Sequence, residues 1–233
     1  MPSKKTIEDK YQKKTQKEHI LDRPDSYIGD ITPQIDVLWV YDNILEKMIK
    51  KQITYVPGLL KIFDEILVNA SDNTKEDDLC NTIKVTINAE ENLIEIWNNG
   101  RGIDIEIHKT HNQLVPELIF GELLTSTNYD DNEKRITGGR NGYGAKLTNI
   151  YSTEFTVETV CNKQMYRQVF KNNMSEIGKP EITKTAEKDY TKITFTPDFA
   201  KFKLKDLDQK EHDTIEVLKK RVFDISAITP KTV

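Results

Sequence analysis

Residues 57 to 73 constrain this chain more than any other stretch. Pro57-Gly58 punctuates the sequence, and a helical reading follows at about 100° per residue. Leu59, Phe63, Ile66, Leu67 and Ala70 then gather within roughly 100° of arc, as a core-facing stripe should. A helix is therefore predicted from Pro57 to about Asn73. Glu65, Asn69, Asp72 and Asn73 recur at i, i+4, i+7 and i+8, so they line a second, polar face over two turns. Such a row is either a solvated surface or one wall of a polar site, and spacing alone leaves both open.

A helix with one apolar stripe needs a partner layer, and the rest of the chain supplies strands. Val37 to Tyr41 is β-branched and aromatic. Lys47, Lys50 and Lys51 mark an exposed loop or hairpin before Ile53 to Val56. Ile83 to Ile87 and Leu93 to Trp97 alternate around a turn at Asn88 to Asn92, which predicts a hairpin. Further strands are expected at 154–160, 164–170, 181–184 and 190–196. Helices are expected at 114–124, after Gly144, and at about 206–224, where Leu207, Ile215, Leu218 and Val222 are apolar. The fold class is α+β, a two-layer sandwich of a mixed or antiparallel sheet with helices on one face. There is no internal repeat. The first residues, to about Gln16, are basic and polar with Tyr11 as their one aromatic residue, and read as an arm.

Two glycine motifs interrupt these elements. The second hairpin strand runs into Asn98-Asn99-Gly100-Arg101-Gly102-Ile103, where the backbone must bend sharply and admit something close. A polar loop at 125–137 ends in Gly138-Gly139-Arg140-Asn141-Gly142-Tyr143-Gly144-Ala145-Lys146 and feeds a helix. Free N–H groups at a helix start favour an anion, glycines let the backbone approach phosphate oxygens, and Lys146 can add a point charge. The motif fits neither GxxxxGK[ST] nor the Rossmann spacing, and by itself it is equally a surface turn.

Composition narrows the function classes. With 34 Lys+Arg against 38 Asp+Glu, the formal net charge is -4, so the chain lacks the basic excess of a primary nucleic-acid grip. No run of about 18 apolar residues exists, which speaks against a membrane span. The N-terminus has no apolar segment of a secretion signal. Cys80 and Cys161 lack metal-ligand spacing and suit a reducing compartment. His19, His108, His111 and His212 read as structural or surface residues.

Taken together, Phe63 to Asn73, Trp97 to Gly102, Leu124 to Asp131 and Thr137 to Lys146 closely resemble the ATPase region of eukaryotic-type DNA topoisomerase II. The similarity extends to Tyr11 to Gln16 and His19-Ile20-Leu21, and spans about residues 9 to 224. The resemblance implies the Bergerat nucleotide fold, shared with gyrase, heat-shock chaperones, histidine kinases and MutL, and the cofactors ATP and Mg²⁺. It implies Glu65 as the carboxylate that polarises the attacking water, and Asn69 as the Mg²⁺ ligand. Asp72 and Asn73 match the nucleoside side of the pocket, and Asn98 the adenine-facing residue, with Ile103 beside it. Ser126, Thr127 and Asn128 match the ribose stretch. Gly139, Arg140, Asn141, Gly142, Tyr143, Gly144, Ala145 and Lys146 match the phosphate-binding lid. Tyr11 matches an arm residue that reaches the partner protomer's nucleotide.

The same resemblance implies an arm over 1–20, an ATP-binding domain over 21–233, a homodimer on nucleotide binding, and action on DNA through the full-length enzyme. The family's transducer domain, which brings a lysine to the γ-phosphate, has no counterpart before Val233. An isolated nucleotide-binding and dimerisation module with negligible ATPase activity is the alternative. A chaperone of the same fold is a further one that the NNGRG and GGRNGYGAK runs disfavour. The place of action implied is a eukaryotic nucleus, or host replication sites for a virus-encoded enzyme, with no membrane partner.

Overall fold

The computed structural model describes residue 7 and residues 13–42, 44–123 and 143–229 of the chain. Its centre is a seven-stranded sheet. The strands are β3 (Ile83–Asn88), β4 (Leu93–Asn99), β7 (Ser152–Cys161), β8 (Gln164–Lys171), β9 (Glu176–Ile177), β10 (Glu181–Lys184) and β11 (Tyr190–Pro197). They run in the order β10-β8-β7-β11-β4-β3, with β9 beside β8, and every pairing is antiparallel. That decides between the mixed and antiparallel sheets the sequence allows. A separate hairpin joins β1 (Gln34–Asp42) to β2 (Lys47–Tyr55), and a short ribbon joins β5 (Ile107–His108) to β6 (Gln113–Leu114).

Among the described residues the strands are accompanied by the α-helices α1 (Gln16–Asp22), α2 (Pro57–Glu76), α3 (Val115–Gly121), α4 (Gly144–Ile150) and α5 (Thr214–Ile228), and by a 3-10 turn at Pro24–Ser26. Pro57 opens α2 at a position where its missing N–H costs nothing. The predicted stripe Leu59, Phe63, Ile66, Leu67 and Ala70 is buried, together with Ile62. It packs with Ile94, Ile96, Phe155, Val157, Ile193 and Phe195 of the sheet in one core. Each such side chain contributes about 1.5–3 kcal/mol by leaving water, which fixes α2 on that face of the sheet.

Helix α4 crosses beside α2, where the Thr148 hydroxyl donates to the Ile62 carbonyl at 2.7 Å. Helix α5 lies against α2 and the β1–β2 hairpin, held by an Arg221–Asp64 ion pair at 2.5 Å. Strand alternation has a consequence for the polar residues. The pattern that buries Ile94 and Ile96 places Asn98, two positions on, on the same helix-facing side.

The structure sets three boundaries. Residues 47–51, read as an exposed loop or hairpin, are the first half of β2 in the β1–β2 hairpin. The half-exposed Lys51 side chain pairs with Asp213 at 2.8 Å. The last helix begins at Thr214, not near 206, because turns occupy the preceding residues; it continues to Ile228. Within the stretch 1–20, residues 16–20 belong to helix α1. Thr15 and Glu18 form a capping box, Ile20 is fully buried, and the Tyr151 hydroxyl donates to the Ile20 carbonyl at 2.7 Å.

Candidate functional site

The polar face of α2 is not a plain solvated surface. Glu65 lies against the start of α4: a Cβ placed on Gly144 would fall onto its carboxylate oxygen Oε2. Glycine leaves room for this approach, and any larger residue would push the Glu65 carboxylate aside. The approach sets a carboxylate beside a helix N-terminus that has no side-chain cap, although 79 residues separate the two in sequence (144 less 65). Lys61, one turn before Glu65, forms an ion pair with it, and the Glu65 side chain stays 21 % exposed. Asn69 is exposed one turn further along the helix. Asp72 is nearly buried and pairs with Lys75 at 3.0 Å.

The other end of the polar face meets the β4 loop. The Asn73 amide packs on Gly100, 3.3 Å from where a Cβ would stand. Asn98 is 6 % exposed, and its amide nitrogen donates to the Asn99 carbonyl at 3.0 Å and to the Cys80 sulfur at 3.6 Å. Those donations fix the amide orientation, so its carbonyl oxygen is the atom available to an incoming donor. The Ile103 N–H donates to the Thr159 hydroxyl at 3.0 Å. Gly102 adopts φ +73°, and a Cβ there would strike the Val160 carbonyl. The close neighbours that require these glycines are thus the chain's own β7 and the end of α2. Which group approaches them is not encoded locally around Gly100 and Gly102.

In the glycine-rich turn, the Tyr143 hydroxyl accepts from Gln16 Nε2 at 2.5 Å, and its ring meets Tyr27 edge-on at 6.3 Å. Ala145 is buried. Lys146 is 2 % exposed, and burial pulls its ammonium down to about 8, partly opposed by the Glu122 carboxylate. Tyr11, Ser126, Thr127, Asn128, Gly139, Arg140, Asn141 and Gly142 lie outside the described residues. The structure therefore brings together Glu65 with Gly144 and Asn73 with the Asn98–Gly102 loop. Sequence reasoning missed Lys61, Thr159, Cys80 and Asp77. Of these only Lys61 had a local signal, its i,i+4 spacing to Glu65.

The family model described as histidine kinase-, DNA gyrase B- and HSP90-like ATPase matches residues 55–201, well over half of the 233-residue chain. The chain belongs to this ATPase family. The matched span holds α2, the β4 loop and α4, the three elements that meet at the site. Among full-length relatives of this ATPase, DNA topoisomerase 2 of Pisum sativum is 54 % identical over 236 residues, covering all of this chain and 16 % of the relative. DNA topoisomerase 2 of Acanthamoeba polyphaga mimivirus is 54 % identical over 97 % of the chain and 18 % of its own length. The solved ATPase region of Saccharomyces cerevisiae topoisomerase II superposes with a TM-score of 0.94 at 52 % identity, over 97 % of this chain and 60 % of that one. The ATPase chain thus spans under a fifth of the length of these curated relatives.

Among its described residues no group of three His, Cys, Asp or Glu could hold a metal, and no helix is long and apolar enough to cross a membrane. Cys80 and Cys161 are both buried and neither is in a disulfide.

Proposed function

We propose that this chain is the nucleotide-binding part of a eukaryotic-type type IIA DNA topoisomerase, in which binding and hydrolysis of ATP–Mg²⁺ close a dimer gate during passage of one duplex through another. The observation that carries the reading is the approach of Glu65 to Gly144, which joins a general-base carboxylate to an anion-favouring helix start across two remote segments. Glu65 orients the attacking water, a role that suits a carboxylate with part of its surface open to solvent.

The residues present fit magnesium. Asn69 offers a hard carboxamide oxygen on an exposed turn beside Glu65, and a cation held by one protein oxygen plus phosphates needs no larger acidic cluster. Bound there, Mg²⁺ neutralises charge on the phosphates. Asn98 accepts from the adenine amino group, with Asp72, Asn73 and Ile103 around the nucleoside and Ser126, Thr127 and Asn128 at the ribose. Residues 139–146 wrap the phosphates, and Tyr11, from an arm over 1–20 preceding the domain at 21–233, contacts the partner's nucleotide. The enzyme acts on DNA as a homodimer, in a nucleus or at viral replication sites.

Titration with a non-hydrolysable ATP analogue and Mg²⁺, with mass read in parallel, tests this. One nucleotide per chain and a doubled mass are expected. Absence of binding overturns the nucleotide assignment, and binding without association overturns the gate.

A further inference from the structure

We infer that Asp77 is a positioning residue for base recognition: it locks the loop that carries Asn98 onto the end of the helix that carries Glu65. The inference rests on the nucleotide reading above and adds to it a source of base selectivity.

The placement of Asp77 is unfavourable on local grounds. It is the C-cap of α2, with extended φ −122° and ψ 112°. A helix C-terminus carries partial negative charge, so a carboxylate there is disfavoured, and glycine or asparagine usually follows the last turn. Rule-breaking of this kind needs a compensating partner. Both Asp77 oxygens have one. Oδ1 accepts from the Leu79 N–H at 2.9 Å, and Oδ2 accepts from the Arg101 N–H at 2.6 Å. The first bond turns the chain out of α2, and the second reaches 24 residues along the sequence to the β4 loop.

Neighbouring bonds show what that grip orients. Asn99 Oδ1 accepts from the Asn81 and Thr82 N–H groups at 3.0 and 2.8 Å, and the Asn99 N–H donates to the Thr82 carbonyl at 3.2 Å. Cys80, three residues after Asp77, receives the Asn98 amide. Segment 77–82 therefore forms a bracket around 98–101, with Asp77 as its only charged contact to the loop backbone among these bonds. Gly100 sits inside the bracket at φ +121°. A Cβ there would stand 2.5 Å from Asp77 Oδ2 and 2.9 Å from Cys80 Cβ. Removing the carboxylate releases the Arg101 N–H, while the Arg101 guanidinium stays on Asp104, and it loosens the bracket that holds the Asn98 amide. Glu65, three turns back along α2, and Gly144 at the start of α4 are left untouched.

The prediction is a change in selectivity, with no loss confined to phosphate recognition. Dissociation constants for ATP, GTP and ADP are to be measured calorimetrically on the 233-residue chain, with thermal unfolding recorded for each variant. Asp77→Ala should lower the preference for ATP over GTP about tenfold, the scale of one charge-assisted hydrogen bond, and leave the ATP:ADP ratio unchanged. Asp77→Asn keeps one acceptor oxygen and should fall between; it decides the matter if the alanine variant does not fold. Gly100→Ala, which crowds the same bracket, should reproduce the loss. Unchanged selectivity in Asp77→Asn and Gly100→Ala, or equal weakening of ATP and GTP, overturns the inference. Failure of the wild-type chain to bind any nucleotide overturns the underlying reading and this inference with it.

Discussion

The two ends of the site are built by different means. At the end proposed for the base, Asn98, Asn99 and the Asn98–Gly102 turn are stitched to residues 77–82 and to β7 by bonds from backbone N–H groups to side-chain oxygens and by glycine contacts. At the end proposed for the phosphates, the Glu65–Gly144 approach sits beside the buried Thr148–Ile62 hydrogen bond between α2 and α4, and the groups nearby are charged: Glu65, its partner Lys61, and the buried Lys146. A base is neutral and flat, so its recognition demands a rigid edge set in advance. A triphosphate is highly charged and must be both held and released, which favours charges that the ligand itself completes.

Breaking the phosphate end should give the largest effect. Glu65→Ala is expected to lower turnover by about a hundred- to ten-thousandfold in a hydrolysis-competent form of the enzyme, with nucleotide affinity little changed. Preserved turnover would remove the general-base role. Breaking the base end should show first in stability. Gly102→Ala puts a Cβ against the Val160 carbonyl in a left-handed backbone, and is expected to cost about 2–4 kcal/mol, read as a fall in Tm of several degrees. An unaltered Tm would mean that the β4 loop can leave β7 freely.

A third measurement sharpens the comparison. Burial holds the Lys146 ammonium at about 8, below its ordinary 10.5. Below pH 8 both folded and unfolded chains carry the proton, and the folded one bears the net penalty, burial less the attraction of Glu122. Between about 8 and 10.5 the unfolded chain holds more protons, so this group makes stability rise with pH. Lys146→Met should therefore be about 1–3 kcal/mol more stable than the wild type at pH 7, with the gap closing by pH 10. Urea unfolding at the two pH values checks it. A gap that stays constant would place the effect in packing, with no contribution from charge.

Much of this architecture is legible in local pattern. The α2 stripe is buried as its spacing requires, and the alternation of β4 puts Asn98 on the helix side without any knowledge of neighbours. Where the pattern misled, a distant partner was responsible. Lys51 reads as part of a loop or hairpin from its charge, and only the fold shows it within β2 with Asp213 beside it. Gly100 and Gly102 announce a tight bend, but the groups that crowd them come from Asp77, Cys80 and Val160.

By itself, the order of residues determined which side chains share a helix face, which strands alternate, and which turns must bend. These are consequences of 3.6- and 2-residue periods and of backbone sterics, and they act over a few residues. Only the tertiary structure decided that Glu65 stops beside Gly144, that Lys146 is submerged next to α3, and that Asp77 grips Arg101. Those contacts depend on how helices settle on a sheet to exclude water, a choice made by the whole core at once.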